Sequence, residues 1–480
     1  MICSCLCRGL LLGLVLFCAE ALALPLDPFV TETYTAVTAS RAFGDETAEE
    51  ACNFAVLSSP LGLTEAIERA LCQNPKVRSA WSEARAQAAL LGVARSAYLP
   101  TISADVSYHA QKSISTYDEE YSVLDEKNRP RTRSSRLRLD WMLFDFGMRS
   151  ANTDQASALL EAANASHDLS IQYVLLETAQ AYFDVQTAQA LLHASRAAEE
   201  SARQSYLATE AKYIAGVGAL TDKLQAAVAL SDAKLKRVTA EGEMKIALGS
   251  LATAIGLSPD TSLLVPERDI ALPILPEQSV ADLIGDARSH HPALLAARAE
   301  VQAAEARVRA TRAEGSPNLV LFGEASDRRQ DKYVPISGYP STGARLRDNV
   351  VGVQVNIPLF EGFGRSYKVR TANSQAAVQA AELVRLEQQV SLEVWKSYQL
   401  LNTQHEHIKA ATTLLDSARR SFEVAQGSFR AGVGNILELL SAQSAVASAE
   451  QRRIEAHAGL LAARLKLAAS IGRLGLWAIK

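Results

Sequence analysis

Arg136-Leu-Arg-Leu-Asp-Trp-Met-Leu-Phe-Asp-Phe-Gly-Met-Arg149 changes its period part-way along. Up to Leu143 the residues alternate, with Leu137, Leu139, Trp141 and Leu143 set against Arg136, Arg138 and Asp140. That is the pattern of a strand with one apolar face. After Arg149 the pattern becomes helical, and from Ser150 to Ile214 there is neither proline nor glycine. At 1.5 Å per residue such a helix of ~65 residues reaches nearly 100 Å, too long to stand without partners. Leu169, Leu176, Phe183, Ala190 and Ala197 recur every seven positions, and Ile171, Val185 and Leu192 make a second stripe. Two stripes on one helix imply neighbours on both sides, as in a ring of helices.

The same passage returns later as Leu359-Phe-Glu-Gly-Phe-Gly-Arg365. Phe144-Asp145 and Phe360-Glu361 are 216 apart, as are Tyr182 and Tyr398, Ala215-Gly-Val-Gly218 and Ala431-Gly-Val-Gly434, and Ile255-Gly256 and Ile471-Gly472. Upstream, Asn74-Pro75 and His291-Pro292, and likewise Pro100 and Pro317, are 217 apart. A long duplication with a one-residue slip describes two equivalent places in one geometric object, a ring or tube.

Working outward, each half reads alike. A helical pattern begins at Leu63, with Thr64 placed to cap it, and runs to about Tyr98, where Pro100 ends it. Alternation follows through Ile102, Ala104, Val106 and Tyr108, then a polar stretch over 113–134, then the quoted strand. The second half repeats this with Leu319, Leu321 and Gly323, a polar loop, and Val351, Val353, Val355 and Ile357. Each long helix stops at its Gly-Val-Gly, and a return helix follows, from about Leu220 to Ile255 in the first half. The chain divides into a signal peptide (1–23), an N-terminal periplasmic segment (24–60), repeat 1 (61–256), a Pro-rich linker (257–278), repeat 2 (279–474) and a tail (475–480).

Arg8, the apolar run 9–18 and Ala21-Leu22-Ala23 read as an export signal, too short to span a bilayer permanently. Four of the six cysteines lie within it. Cys52 and Cys72 remain, and in an oxidising compartment they favour a disulfide, with free thiols as the alternative. Beyond the signal no stretch is apolar enough for a transmembrane helix, so a membrane passage must use strands. Each chain offers four strands of about nine to eleven residues, the length of a tilted outer-membrane strand. Four cannot close a barrel, and an open edge in lipid leaves backbone groups unpaired at several kcal/mol each. Three copies supply twelve. The net charge of -4, with no clustered basic face, gives no support to a nucleic-acid role.

No catalytic or cofactor constellation is present. His290-His291 sits at a helix start without a carboxylate at ligand spacing, and His405 and His407 point to different helix faces. The glycines at 216–218 and 432–434 lack the Lys and Ser/Thr of a phosphate loop. Glu199-Glu200 and Arg419-Arg420 read as solvated surface. The expectation is no enzyme, no cofactor and no metal.

Residues 63–474 resemble the TolC family of outer-membrane factors, on the helix–hairpin–long-helix order repeated twice, the two Leu-Phe-acid…Arg motifs and the two Gly-Val-Gly turns. The resemblance implies a mixed α/β membrane protein with internal duplication: a homotrimer with a twelve-stranded outer-membrane β-barrel in lipid, continuous with a long periplasmic α-helical barrel. It implies docking of the tips, at Gly216, Gly218, Leu220, Gly432, Gly434 and Ile436, onto a periplasmic adaptor (membrane-fusion protein). It also places Glu438 in a carboxylate ring at the entrance, with Ser441 where relatives carry a second acid. Asp222 matches a latch residue whose usual Tyr and Arg partners are Phe429 and Gly434 here. The implied function is a passive duct, working with an inner-membrane ABC transporter or pump. The exported substrate is a protein (an RTX-type toxin in a type I secretion system), with multidrug efflux as the alternative. From another class, the alternative is a periplasmic coiled-coil structural protein.

Overall fold

The computed structural model describes residues 27–35, 60–124, 126–266, 278–333 and 342–474. The expected signal peptide and Cys52 lie outside them. Cys72 is disulfide-bonded.

The first half runs α1 (Leu63–Gln73), α2 (Pro75–Ser96), β1 (Thr101–Ala110), β2 (Ser113–Ser115), β3 (Glu126–Asn128), β4 (Arg131–Phe144), α3 (Met148–Ile214) and α4 (Leu220–Ala254). The second half repeats the order as α5 (Val280–His290), α6 (Pro292–Ala313), β5 (Asn318–Tyr333), β6 (Thr342–Asn356), α7 (Gly364–Arg430) and α8 (Ile436–Ile471). Helices α3 and α7 are each 67 residues long, matching the length expected from the sequence. The described residues form two compact units: one holds those of 27–35, 85–160 and 302–377, the other those of 60–84, 161–301 and 378–474.

Within the first unit the sheet order is β1-β4-β5-β6, antiparallel throughout. Each hairpin thus pairs with the other through β4 and β5, while β1 and β6 are the outer strands. The strands have 10, 14, 16 and 15 residues, so β1 has the expected nine to eleven and the other three are longer. The extra length is charged: β4 begins at Arg131, inside the stretch assigned to a loop, because ladder bonds need only backbone and continue where hydrophobic alternation has ceased. The polar stretch is not all loop either, since β2 pairs with β3 and residues Glu119–Leu124 form a 3₁₀ turn.

The Leu-Phe-acid…Arg motifs are the strand-to-helix corners. Asp145 Oδ2 accepts from the Arg149 backbone N–H at 3.0 Å and from Nε at 2.9 Å, and both side chains are 9% exposed. The same guanidinium donates to the carbonyls of Met142 and Leu143, at 2.7 and 3.2 Å, and so ties strand end to helix start. Arg365 repeats the acid–Arg pair, bonding Glu361 at 2.8 Å, but its other bond goes to the Gly315 carbonyl, in the turn after α6, at 2.6 Å. A Cβ at Gly315 would lie 2.1 Å from that guanidinium carbon, so a larger residue there would displace the arginine from this bond.

The expected helix from 63 to 98 is broken at Asn74. The following proline holds Asn74 extended (ψ 125°), and its amide donates to the Ala254 carbonyl at 3.4 Å. Thr64 is not the cap; Gly62 occupies that position without a side-chain bond. His290 closes α5, rather than opening a helix, and His291 is its C-cap. Both proline breaks meet the glycine that ends a return helix. Gly256 (φ 80°) would press a Cβ to 2.8 Å from Gln73 Cβ, and Gly472 (φ 79°) to 2.8 Å from His291 Cα. The Asn-Pro/His-Pro and Ile-Gly pairs are therefore two halves of one joint, made twice.

The two largest apolar clusters of the second unit are these. One gathers Ile67, Leu71, Val174, Tyr182, Val185, Leu251 and Ile255 and also takes Leu465; the other gathers Leu283, Leu294, Val394, Leu401, Leu460 and Leu467. Leu263 and Val265, in the segment expected to be a linker, are buried in the first core, and the Leu264 carbonyl accepts the Leu61 amide at 2.7 Å. That part of the segment is packed structure. Glu199 and Arg419 are not simply solvated either: Glu199 pairs with Arg237 at 2.5 Å and Arg419 with Glu450 at 3.0 Å, across helices.

Candidate functional site: the hairpin tips

The turn between α3 and α4, and that between α7 and α8, are built on the same chemistry. Gly216 (φ 75°) and Gly432 (φ 78°) adopt the left-handed conformation that ends a helix. The next amide reaches back five residues, Val217 to the Lys212 carbonyl at 3.0 Å and Val433 to the Ser428 carbonyl at 3.1 Å. Gly218 and Gly434 serve close approach instead. A Cβ at Gly434 would lie 2.8 Å from the Phe429 nitrogen, and one at Gly218 would lie 3.0 Å from the Lys212 carbonyl carbon. The two glycines of each motif thus do different work, one through φ and one through space.

The tips differ in what they show to solvent. Ile214, Val217, Leu220 and Leu224 are exposed at the first, and Val433 and Leu437 at the second. Ile436, expected at the docking surface, is 2% exposed and packs with Phe429 and Leu439. Its place is inside the turn because it starts a helix whose apolar face closes on α7, which leaves Leu437 to point outward. Asn435 caps that helix by accepting from the Leu437 amide at 3.0 Å, whereas Ala219 gives α4 no side-chain cap.

Glu438 and Ser441 are exposed and one helical turn apart, so they share a face of α8. Asp222 is half-buried in the first turn of α4, a favourable place for an anion, and among the described residues it makes no ion pair. Charge at the first tip is satisfied nearby instead. Lys223 binds Glu210 at 3.0 Å, which holds the Glu210 carboxyl below its usual range, and the Tyr206 hydroxyl donates to the same carboxylate at 2.9 Å.

One contact joins the two hairpins here. Lys212 Nζ lies 3.8 Å from the centre of the Phe429 ring and donates to the Phe429 carbonyl at 3.3 Å. Phe429 is 8% exposed, so the cation meets the ring partly out of water, where such a pair is strongest. Sequence reading passed over Lys212 because its repeat equivalent is Ser428, and the duplication drew attention only to positions that match.

Among the described residues no group of three or more His, Cys, Asp or Glu could hold a metal ion, and no helix is long and apolar enough to cross a membrane. A groove of about 570 Å³ beside α3 is lined by residues that include Gln189, His193, Ser201, Phe422, Gln443 and Glu450.

Comparison with known proteins agrees with this architecture. The chain is 32% identical to Protein CyaE of Bordetella pertussis over 416 residues, 86% of this chain and 85% of that one. It is 26% identical to the alkaline protease secretion protein AprF of Pseudomonas aeruginosa over 396 residues, 81% and 80% of the two chains. The solved outer-membrane channel OprN superposes with a TM-score of 0.73 at 22% identity, covering 86% of this chain and 90% of that one. The sequence profile of the outer membrane efflux proteins matches twice, over residues 66–257 and 283–473, once for each half of the duplication. The chain therefore belongs to the outer membrane efflux protein family, channel-forming proteins of the outer membrane.

Proposed function

We propose that three copies of the chain form the exit duct of a type I secretion system, passing a protein substrate delivered by an inner-membrane ABC transporter through a periplasmic adaptor. The observation that carries the reading is the four-stranded sheet bounded by β1 and β6. In lipid those edges need partners, and a second and third copy provide them with twelve strands in all. The duct has no energy source of its own. The likeness to AprF, an alkaline protease secretion protein, supports a protein cargo over drugs.

At the tips, Gly216, Gly218, Gly432 and Gly434 shape turns that present Leu220 and the exposed valines to the adaptor; Ile436 supports from beneath. Three copies of Glu438 ring the mouth, attracting cations and repelling anionic solutes. With Ser441 in the next turn, the ring carries a single tier of charge. Lys212 on Phe429 takes the place of a carboxylate latch and holds the hairpins together until docking draws them apart, a shift of population rather than a chemical step. Cys52 is the partner proposed for Cys72.

The test is a clean deletion strain. Proteins in the culture supernatant are compared with the parent's, alongside susceptibility to dyes and detergents. The proposal expects one large secreted protein to disappear with susceptibility unchanged. An intact secretome with raised susceptibility would instead assign the duct to efflux.

A further inference from the structure

The outward face of the sheet ends in a row of like charges. Register places residues of one face side by side across the strands. Ile102, Leu139, Gly323 and Val351 form one such row, and Ala104, Leu137, Ala325 and Asn349 the next towards the hairpin loops. After them come Val106, Ser135, Asp327 and Arg347, and then Tyr108, Arg133, Arg329 and Arg345. This is the apolar face, hence the lipid-facing one. From Val355 to Arg345 is ten residues along β6. At about 3.3 Å each, in a strand tilted as barrel strands are, that puts the last row roughly 25 Å above Val355, the height of an apolar band. The arginines stand where hydrocarbon gives way to headgroups.

Three guanidinium groups directly opposite one another across β4, β5 and β6 repel, an arrangement that sheets otherwise avoid. Asp327 is too little to neutralise them. Its carboxylate meets Arg345 at 2.5 Å, Arg329 at 3.7 Å and Arg347 at 3.8 Å, one charge among three. Arg131 adds another cation on the same face, and Arg133 lies over the Tyr108 ring at 5.7 Å. Asp331 follows nearer the loop, inside the register shift between Gln330 and Tyr333. Arg329, Arg345 and Arg347 keep 58%, 41% and 64% of their side-chain surface exposed, so their donors are open to an external anion.

We propose that this row is a seat for the phosphates of the phosphorylated glycolipid of the outer leaflet, a girdle of arginines that fastens the barrel at its outer rim. Planar guanidinium forks match phosphate oxygens two by two, and three copies of the chain repeat the girdle around the barrel. The inference rests on the barrel proposed above, with the hairpin loops on the outer side, since that side fixes which lipid faces the row.

Full-length channel is purified in neutral detergent, its mass measured, and its melting followed with three additives: bisphosphorylated lipid A, its dephosphorylated form and phosphatidylglycerol. The expected result is a rise of several degrees with the bisphosphorylated lipid alone. The double variant Arg329→Gln/Arg345→Gln should lose that rise, and without lipid should melt no lower than the parent, because repulsion has been removed. An equal rise with dephosphorylated lipid or with phosphatidylglycerol would overturn the proposal. So would a rise retained by the variant, or a variant less stable without lipid, which would mean the row is satisfied within the chain. A trimer that shows no phosphate response rejects the girdle and leaves the barrel standing; absence of a trimer in the parent rejects both.

Discussion

Lys212 and Phe429 meet across two tips built on the same turn, so this contact between them depends on a residue where the two repeats differ. A cation over an aromatic face contributes about 0.5–2 kcal/mol, and three copies add up on a closed mouth. Lys212→Met keeps the length and removes the charge; it is expected to raise resting conductance in planar bilayers several-fold, while Lys212→Arg leaves it near the parent value. Unchanged conductance in Lys212→Met would mean closure lies elsewhere. Asp222→Ala, by contrast, should barely alter the resting state, since no ion pair is lost. Of the site, the turn glycines and the face shared by Glu438 and Ser441 were legible in the sequence, because glycine demand and helical spacing are local. The burial of Ile436 and the reach of Lys212 were not, because both depend on which helix lies opposite.

Among the elements, those with long periodic patterns read correctly, and their ends read poorly. The two 67-residue helices announce themselves by the absence of proline and glycine. The outer ends of the strands do not, because Arg131 and Arg133 continue the ladder with side chains that look like loop. The break at Asn74 was hidden by helical periodicity on both sides, and only its packing on the end of α4 makes Asn-Pro and Ile-Gly one feature. The tip turns invite a direct comparison. Gly434→Ala forces a Cβ against backbone and should destabilise the second tip by about 1–3 kcal/mol, as overpacking does. Gly427→Ala, four residues before the turn proper and with nothing within 4 Å, should be neutral or slightly stabilising. Hydrogen exchange at the end of α7 separates them: faster exchange is expected in Gly434→Ala alone, and equal rates in both variants would show that space at Gly434 is not limiting.

For the whole molecule, the duplication carries the fold. Two matching halves, each with a hairpin and a long helix, produce a four-stranded sheet whose outer edges, on β1 and β6, have no partner strand among the described residues. That much follows from strand count and the cost of unpaired backbone in lipid, and it was legible before any coordinates. The cargo was not, since the channel proposed above would recognise little of what moves through it. The central claim is that the sheet closes only with other copies of itself. It is tested most directly by the mass of the full-length protein extracted from outer membranes in mild detergent. Three chains per particle, retained on dilution, are predicted. A single chain recovered in the soluble fraction would contradict the account.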